Sequence, residues 1–276
     1  MMPWVGVDLM TAPDRERIIN TLVGSLRDIE SVLAVWEGGS TAMARSDHHS
    51  DIDLYIMVER GGIDEVMERV ESSLGEMAGI EISYEPHGTH WPGVKQMFYR
   101  LSGVSPLLLI DMAVVENGAP ESFLEVEKHG RARFLLSRIG EELPHVDPLV
   151  LLEMVTDRLS NIRKRYELFS PFLRKEMERE HLIDAIDTYN RVHLTTLVQL
   201  LRIRYCPARC DFGTLRICQD IPDEECERLE PLFLVGGMDD LDRNSMIVES
   251  WIRDLLEEMD TMGLESLISM SIVTHR

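Results

Sequence analysis

Basic residues are scarce in this chain. Its 276 residues carry 28 Lys and Arg against 49 Asp and Glu, a formal net charge of −21. A protein that grips a nucleic-acid backbone neutralises phosphates with Lys and Arg, so this balance argues against a nucleic-acid partner and suits a small or cationic one. Cysteine is as sparse: Cys206, Cys210, Cys218 and Cys226 all fall in one late region. They lack the paired Cys-x-x-Cys knuckles of structural zinc, and they read as separate buried or half-buried thiols rather than a metal or redox centre. No apolar run approaches the ~20 residues that a membrane-spanning helix needs, and no basic segment followed by an apolar stretch opens the sequence. The expectation is a cytoplasmic protein with no membrane partner. Repeats and low-complexity segments are also missing.

What is present is ordinary globular material, 44% hydrophobic, long enough for two modest domains. Apolar residues recur with the helical period between Thr11 and Glu30, and Thr11 or Asp14 is placed to cap that helix. Val32 to Trp36 reads as a short strand, Asp51 to Glu59 as a second, and Ile63 to Met77 as an amphipathic helix after Gly61-Gly62. Ile80 to Tyr84, Gln96 to Leu101 and Leu107 to Val115 are further strands. A helix is expected from about Glu121 to Ser137, and Gly140, Pro144 and Pro148 then mark a boundary. Beyond it, Leu149 to Phe169, Arg174 to Tyr205, Asp223 to Phe233 and Asp239 to Ile268 read as helices of a bundle. The fold class is therefore α+β, a mixed sheet flanked by helices over residues 1–145 followed by an all-α domain over 146–276.

The informative stretch runs from Gly38 to Ile56. A Gly38-Gly39-Ser40 turn precedes Asp51 and Asp53, spaced i, i+2 at the mouth of an apolar strand. Side chains alternate along a strand, so the two carboxylates share a face that Ile52 cannot join. Two acids held that close repel unless a cation sits between them, and Mg²⁺ bound through carboxylates and substrate phosphate is the natural occupant. A helix beginning near Ser40 would aim free N–H groups at an incoming phosphate. A third acid, Asp111, lies inside the apolar run Leu107 to Val115, where burial without a cation or strong donors costs several kcal/mol by rough estimate.

This segment resembles the signature of the polymerase-β-type nucleotidyltransferase superfamily: Gly-Ser, a spacer, Asp-x-Asp, and a third carboxylate on a later strand. Gly39, Ser40, Ala42, Arg45, Asp47, Ser50, Asp51, Ile52 and Asp53 stand in register with the form Gly-Ser-Leu-Ala-Arg-Gly-Arg-Ala-Asp-x-x-Ser-Asp-Ile-Asp; Met43 and Ala44 depart from it. A minimal catalytic domain followed by helices resembles the aminoglycoside nucleotidyltransferases of the kanamycin type. The resemblance implies a cytoplasmic enzyme that moves a nucleoside monophosphate, AMP from ATP, to a hydroxyl of a small-molecule or protein acceptor and releases pyrophosphate. It implies two Mg²⁺ ions, with Mn²⁺ an acceptable substitute, on Asp51, Asp53 and Asp111, the last as metal ligand or as general base. It places Gly38, Gly39, Ser40, Arg45 and Ser50 at the nucleotide, and assigns the acceptor to the helical half.

Other residues carry plainer readings. Arg158, Arg163, Lys164 and Arg165 form the densest cationic run and read as a solvated helix face balanced by neighbouring Glu, although Arg158 and Arg165, seven apart, share a face that suits a triphosphate. His48, His49, His87 and His90 read as loop surface. Two other functions compete. A toxin–antitoxin-type protein modifier is one, but the Arg-x4–6-His ribonuclease spacing of partner toxins is missed by Arg179-Glu180-His181 and Arg191-Val192-His193. A non-catalytic nucleotide sensor is the other, against which stands the retention of all three acids.

Overall fold

The computed structural model describes residues 14–39, 51–87 and 91–274. Among them the chain divides into two compact units, Met1–His145 and Val146–Arg276. The first is a six-stranded mixed sheet in the order β3-β4-β5-β2-β1-β6. Its strands are β1 (Val32–Glu37), β2 (Ile52–Val58), β3 (Ile80–Tyr84), β4 (Val94–Leu101), β5 (Ile110–Glu116) and β6 (Arg133–Ser137). β2 and β5 run parallel and the other neighbours antiparallel.

Period-two alternation sorts the side chains onto two unlike faces. Ile52, Leu54, Ile56 and Val58 of β2 and Ile110, Met112 and Val114 of β5 are buried against α1 (Arg15–Leu26) and α2 (Ile63–Met77). Both helices carry apolar stripes, Ile18, Ile19, Leu22, Val23 and Leu26 on one and Val66, Met67, Val70 and Leu74 on the other. Asp14 caps α1, its side chain accepting a hydrogen bond from the backbone N–H of Arg17 at 2.8 Å. The other face is covered by a smaller cluster, Ala34, Trp36, Met57 and Leu124 with Tyr55, Phe134 and Leu143 packed on it.

The helix expected over residues 121–137 is not formed. Only Val126–His129 is helical, as α3, and β6 follows it. Phe123 stands at φ 57° and Gly130 at φ 82°, either of which stops an α-helix. The segment beyond Gly130 instead pairs with β1, Trp36 opposite Phe134 and Ala34 opposite Ser137. Arg138 holds this strand down by donating to the carbonyls of Ile29 at 2.7 Å and Val32 at 2.6 Å.

The second unit is helical: α4 (Pro148–Phe169), α5 (Pro171–Glu178), α6 (Leu182–Thr188), α7 (Thr195–Tyr205), α8 (Asp223–Leu229), α9 (Met238–Met262) and α10 (Leu264–Thr274). The helix expected from Arg174 to Tyr205 is broken at Glu180, φ 59°, and runs as a π-helix over Tyr189–Leu194 between α6 and α7. The one expected from Asp239 to Ile268 is split at Gly263, φ 76°. None of the described helices is long and apolar enough to cross a membrane. The cysteines also differ from expectation: Cys206 and Cys210 are buried free thiols, but Cys218 and Cys226 are joined as a disulfide with Cα atoms 5.1 Å apart. Folding closes this pair because the turn at Ile217–Gln219 returns the chain onto α8.

That turn is pinned by charge. Arg202 of α7 is fully buried; it donates to the carbonyls of Gly213 and Leu215, both at 2.6 Å, and to Asp220 at 2.9 Å. Arg209 reaches the other oxygen of Asp220 at 2.6 Å. Removing the acid would take away the carboxylate that the two buried guanidiniums share. Asp220→Asn is therefore expected to destabilise the chain by about 3–5 kcal/mol, read as a lower urea midpoint; an unchanged midpoint would show that the ion triad is not what holds the 206–222 segment.

Candidate active site

The site lies on the thinly covered face of the sheet, and the β2–β5 pairing builds it. In the parallel register Asp53 stands directly opposite Asp111. Asp51, two residues earlier, is tied to the same place: its Oδ1 accepts the backbone N–H of Leu109 at 2.9 Å, and Ile52 donates to the Leu109 carbonyl at 2.9 Å. The strand expected from Leu107 begins at Ile110, because the Leu109 N–H is taken by the Asp51 side chain. All three acids are half-buried. The structure thus brings Asp51, Asp53 and Asp111 together at one end of the sheet.

Their proximity has an electrostatic cost. Burial pushes the Asp111 carboxyl up to about 6, opposed by a hydrogen bond from Gln96 and reinforced by the negative charges of Asp53 and Asp51. Gln96 Nε2 donates to Asp111 Oδ1 at 2.7 Å. This residue was not among those singled out from sequence, although a polar side chain between Val94 and Phe98 on one face of an apolar strand was the available sign. Tyr55, also on this face, has its phenol pushed well above its ordinary value by burial and by Asp111, Asp53 and Glu121.

Gly38 and Gly39 close against these groups. A Cβ on Gly38 would lie 2.4 Å from Tyr55 Cε2, and one on Gly39, at φ 53°, would lie 1.8 Å from Asp53 Oδ2. Gly38 also donates its N–H to the Asp53 carbonyl at 3.0 Å. Neither position has room for a side chain, so the paired glycines let the turn run directly over the acid and the ring. Ser40, Arg45 and Ser50, the other residues expected at the nucleotide, lie outside the described residues, as do His48, His49 and His90 and any helix starting near Ser40.

One buried carboxylate ties the end of β1 to the start of β2. Glu37, 1% exposed at the end of β1, meets Arg15 at 2.5 Å and Arg133 at 3.1 Å. Arg15 also donates to the carbonyl of Asp51 at 3.4 Å. Beside the site an aromatic wall has Trp36 stacked on Tyr55 at 5.6 Å, Tyr55 tilted against Phe123 at 5.1 Å, and Phe123 edge-on to Trp91 at 5.6 Å. Glu121, Glu125 and His129, whose ligand atoms lie within 4.8 Å of one another, flank this wall. Burial there works against ionisation of Glu121, but hydrogen bonds from His129 and Lys128 hold its carboxyl down at about 2. The Lys128 ammonium, 2.8 Å from Glu121, already supplies the cation.

The three acids present only hard oxygen donors, and their mutual repulsion is the feature that a divalent cation would relieve. The donor set fits Mg²⁺ or Mn²⁺ and disfavours soft, thiolate-seeking metals.

No family model matches the sequence, and no curated protein matches it. Among solved structures, the chain aligns with an aminoglycoside 6-adenyltransferase from Bacillus subtilis at 10% identity and a TM-score of 0.34, covering 95% of this chain and 92% of that one. It aligns with a spectinomycin adenyltransferase from Enterococcus faecialis, in complex with ATP and spectinomycin, at 12% identity and a TM-score of 0.36, covering 95% and 99%. These values carry no residue-by-residue correspondence.

The Asp111 shift sets a pH dependence. The folded carboxyl holds its proton more tightly than the ordinary value of 3.8, so stability falls as pH rises from about 4 to about 6, and the loss is complete above that range. Asp111→Asn keeps an acceptor for Gln96 and removes the charge. In chelator it is expected to be more stable than the parent at pH 8, by about 2 kcal/mol, and to match it at pH 4. Excess Mg²⁺ should reverse the difference at pH 8. Urea unfolding that shows equal stabilities at both pH values would refute the charge crowding.

Proposed function

We propose that this protein is a metal-dependent nucleotidyltransferase that transfers a nucleoside monophosphate, AMP from ATP, to a hydroxyl of a small-molecule or protein acceptor and releases pyrophosphate. The observation that carries this is the opposition of Asp53 and Asp111 across β2 and β5, with Asp51 hydrogen-bonded to the residue leading into β5. Asp51, Asp53 and Asp111 would hold divalent cations, which when bound supply charge neutralisation for the triphosphate and polarise the reacting phosphate.

The chain's own residues supply the rest. Gln96 fixes the orientation of the Asp111 carboxylate. The Asp111 carboxyl, raised above an ordinary Asp yet mostly ionised at neutral pH, is a stronger base than a free carboxylate, so Asp111 is suited to take the acceptor's proton as the hydroxyl oxygen bonds to the α-phosphorus and the bond from that phosphorus to the bridging oxygen breaks. The electron pair and the negative charge leave with pyrophosphate. Gly38 and Gly39 bring backbone close to Asp53, where N–H groups of the turn can meet phosphate oxygens. The Glu37 ion cluster holds the two ends of that turn. In this proposal the first unit is the catalytic domain and the second carries the determinants of the acceptor.

Asp53→Asn is the decisive variant. It is expected to fold as the parent does and to lower pyrophosphate release from ATP and Mg²⁺, with a panel of aminoglycosides, other hydroxylated small molecules and proteins as acceptors, by about a thousandfold or more. Parent-level release by a folded Asp53→Asn chain would refute the assignment, and transfer of label to one class of acceptor would name that class.

A further inference from the structure

Most arginines of the second unit meet a carboxylate, as Arg163 meets Asp260 at 2.7 Å and Arg204 meets Glu258 at 2.7 Å. Among the described residues, Arg158 and Arg165 meet none. Seven residues apart on one face of α4, they line a cavity of about 470 Å³ together with Asn161, Ile162, Thr195 and Gln199. The volume is that of a small-molecule cleft, roughly 300–1,000 Å³. Among the described residues its wall contains no acid, in a chain with 49 of them. The face is solvated at Arg165, as expected, but the balancing Glu residues are not found there: Arg163 pairs instead with Asp260 of another helix.

The two guanidiniums are oriented without being neutralised. Arg158 Nη1 donates to the carbonyl of Cys210 at 2.8 Å, and Arg165 Nη2 donates to the carbonyl of Arg191 at 2.8 Å. Each bond to a carbonyl uses one of five N–H donors and cancels none of the charge. Asn161 and Gln199, which also line the cavity, carry amides that can serve as neutral donors. Two fixed guanidinium forks with amide donors and no competing carboxylate match the oxygens of a phosphoryl group.

We propose that this cavity is a phosphoryl-binding site, taking the phosphate end of a phosphorylated small molecule or of a nucleotide. It lies wholly within the second unit and stands independently of the nucleotidyl-transfer proposal. Calorimetric titration of the full chain in EDTA, with inorganic phosphate, pyrophosphate and ATP in turn, tests it. At least one of the three is expected to bind, with affinity falling as salt rises. Arg158→Gln/Arg165→Gln should weaken that binding about tenfold or more. Arg165→Gln alone, at an exposed position, carries the test should the double variant melt early.

Tight binding of ATP over pyrophosphate would assign the site to the nucleotide. Binding of phosphate or pyrophosphate at least as tight as ATP would assign it to a phosphorylated small molecule. Failure of all three to bind, or parent-like affinity in the folded arginine variants, would overturn the proposal. Because this proposal is read by the binding of the arginine variants and the other by pyrophosphate release from Asp53→Asn, either can fail alone.

Discussion

The parallel pairing of β2 with β5 is the constraint on which the rest of the first unit depends. A slip of one residue between these strands would turn Asp111 toward the α1–α2 layer and send Ile110 or Met112 outward. The register is therefore enforced by hydrophobic burial on one face, and the acids on the other face inherit their positions from it. At roughly 25 cal/mol per Å² of apolar surface, burying three or four aliphatic side chains per strand outweighs the repulsion among the acids. The core can hold together a group of charges that would not assemble by themselves.

A second layer of control comes from Glu37. A carboxylate 1% exposed would be costly alone, but two guanidiniums from α1 and β6 compensate it. Through Arg15 the same cluster touches the backbone at Asp51, so the end of β1 and the start of β2 are referenced to one another across the turn that joins them. The glycines at 38 and 39 then lie flat over Tyr55 and Asp53. Charge pairing links the end of β1 to the start of β2, and the lack of side chains at Gly38 and Gly39 sets how closely the chain there passes the ring and the acid.

Much of this was legible from residues alone. The alternation in Asp51 to Val58, the helical stripes of α1 and α2, and a lone acid in the apolar run before Val115 all reflect local physics that a single chain displays. What escaped detection depended on partners far away in sequence. β6 looks helical by itself and becomes a strand because β1 offers it an open edge and Gly130 turns the chain toward it. Gln96 and Glu37 acquire meaning only through Asp111, Arg15 and Arg133. The break at Glu180 carries no glycine or proline to announce it, whereas the one at Gly263 does. The disulfide between Cys218 and Cys226 depends on a turn pinned by Asp220, which spacing alone does not convey.

The π-helical stretch between α6 and α7 has a geometric corollary. Widening one turn amounts to inserting a residue into an α-helix, and a residue is worth about 100° of rotation at 3.6 per turn. The faces before and after Tyr189–Leu194 are thus out of phase by that angle, which is how Tyr189, His193 and Leu194 can all be buried within six residues. Excising a single residue there would restore a regular spiral and swing the whole of α6 about its axis relative to α7. Length polymorphism, ordinarily tolerated in loops, would act at this helix as a change of orientation.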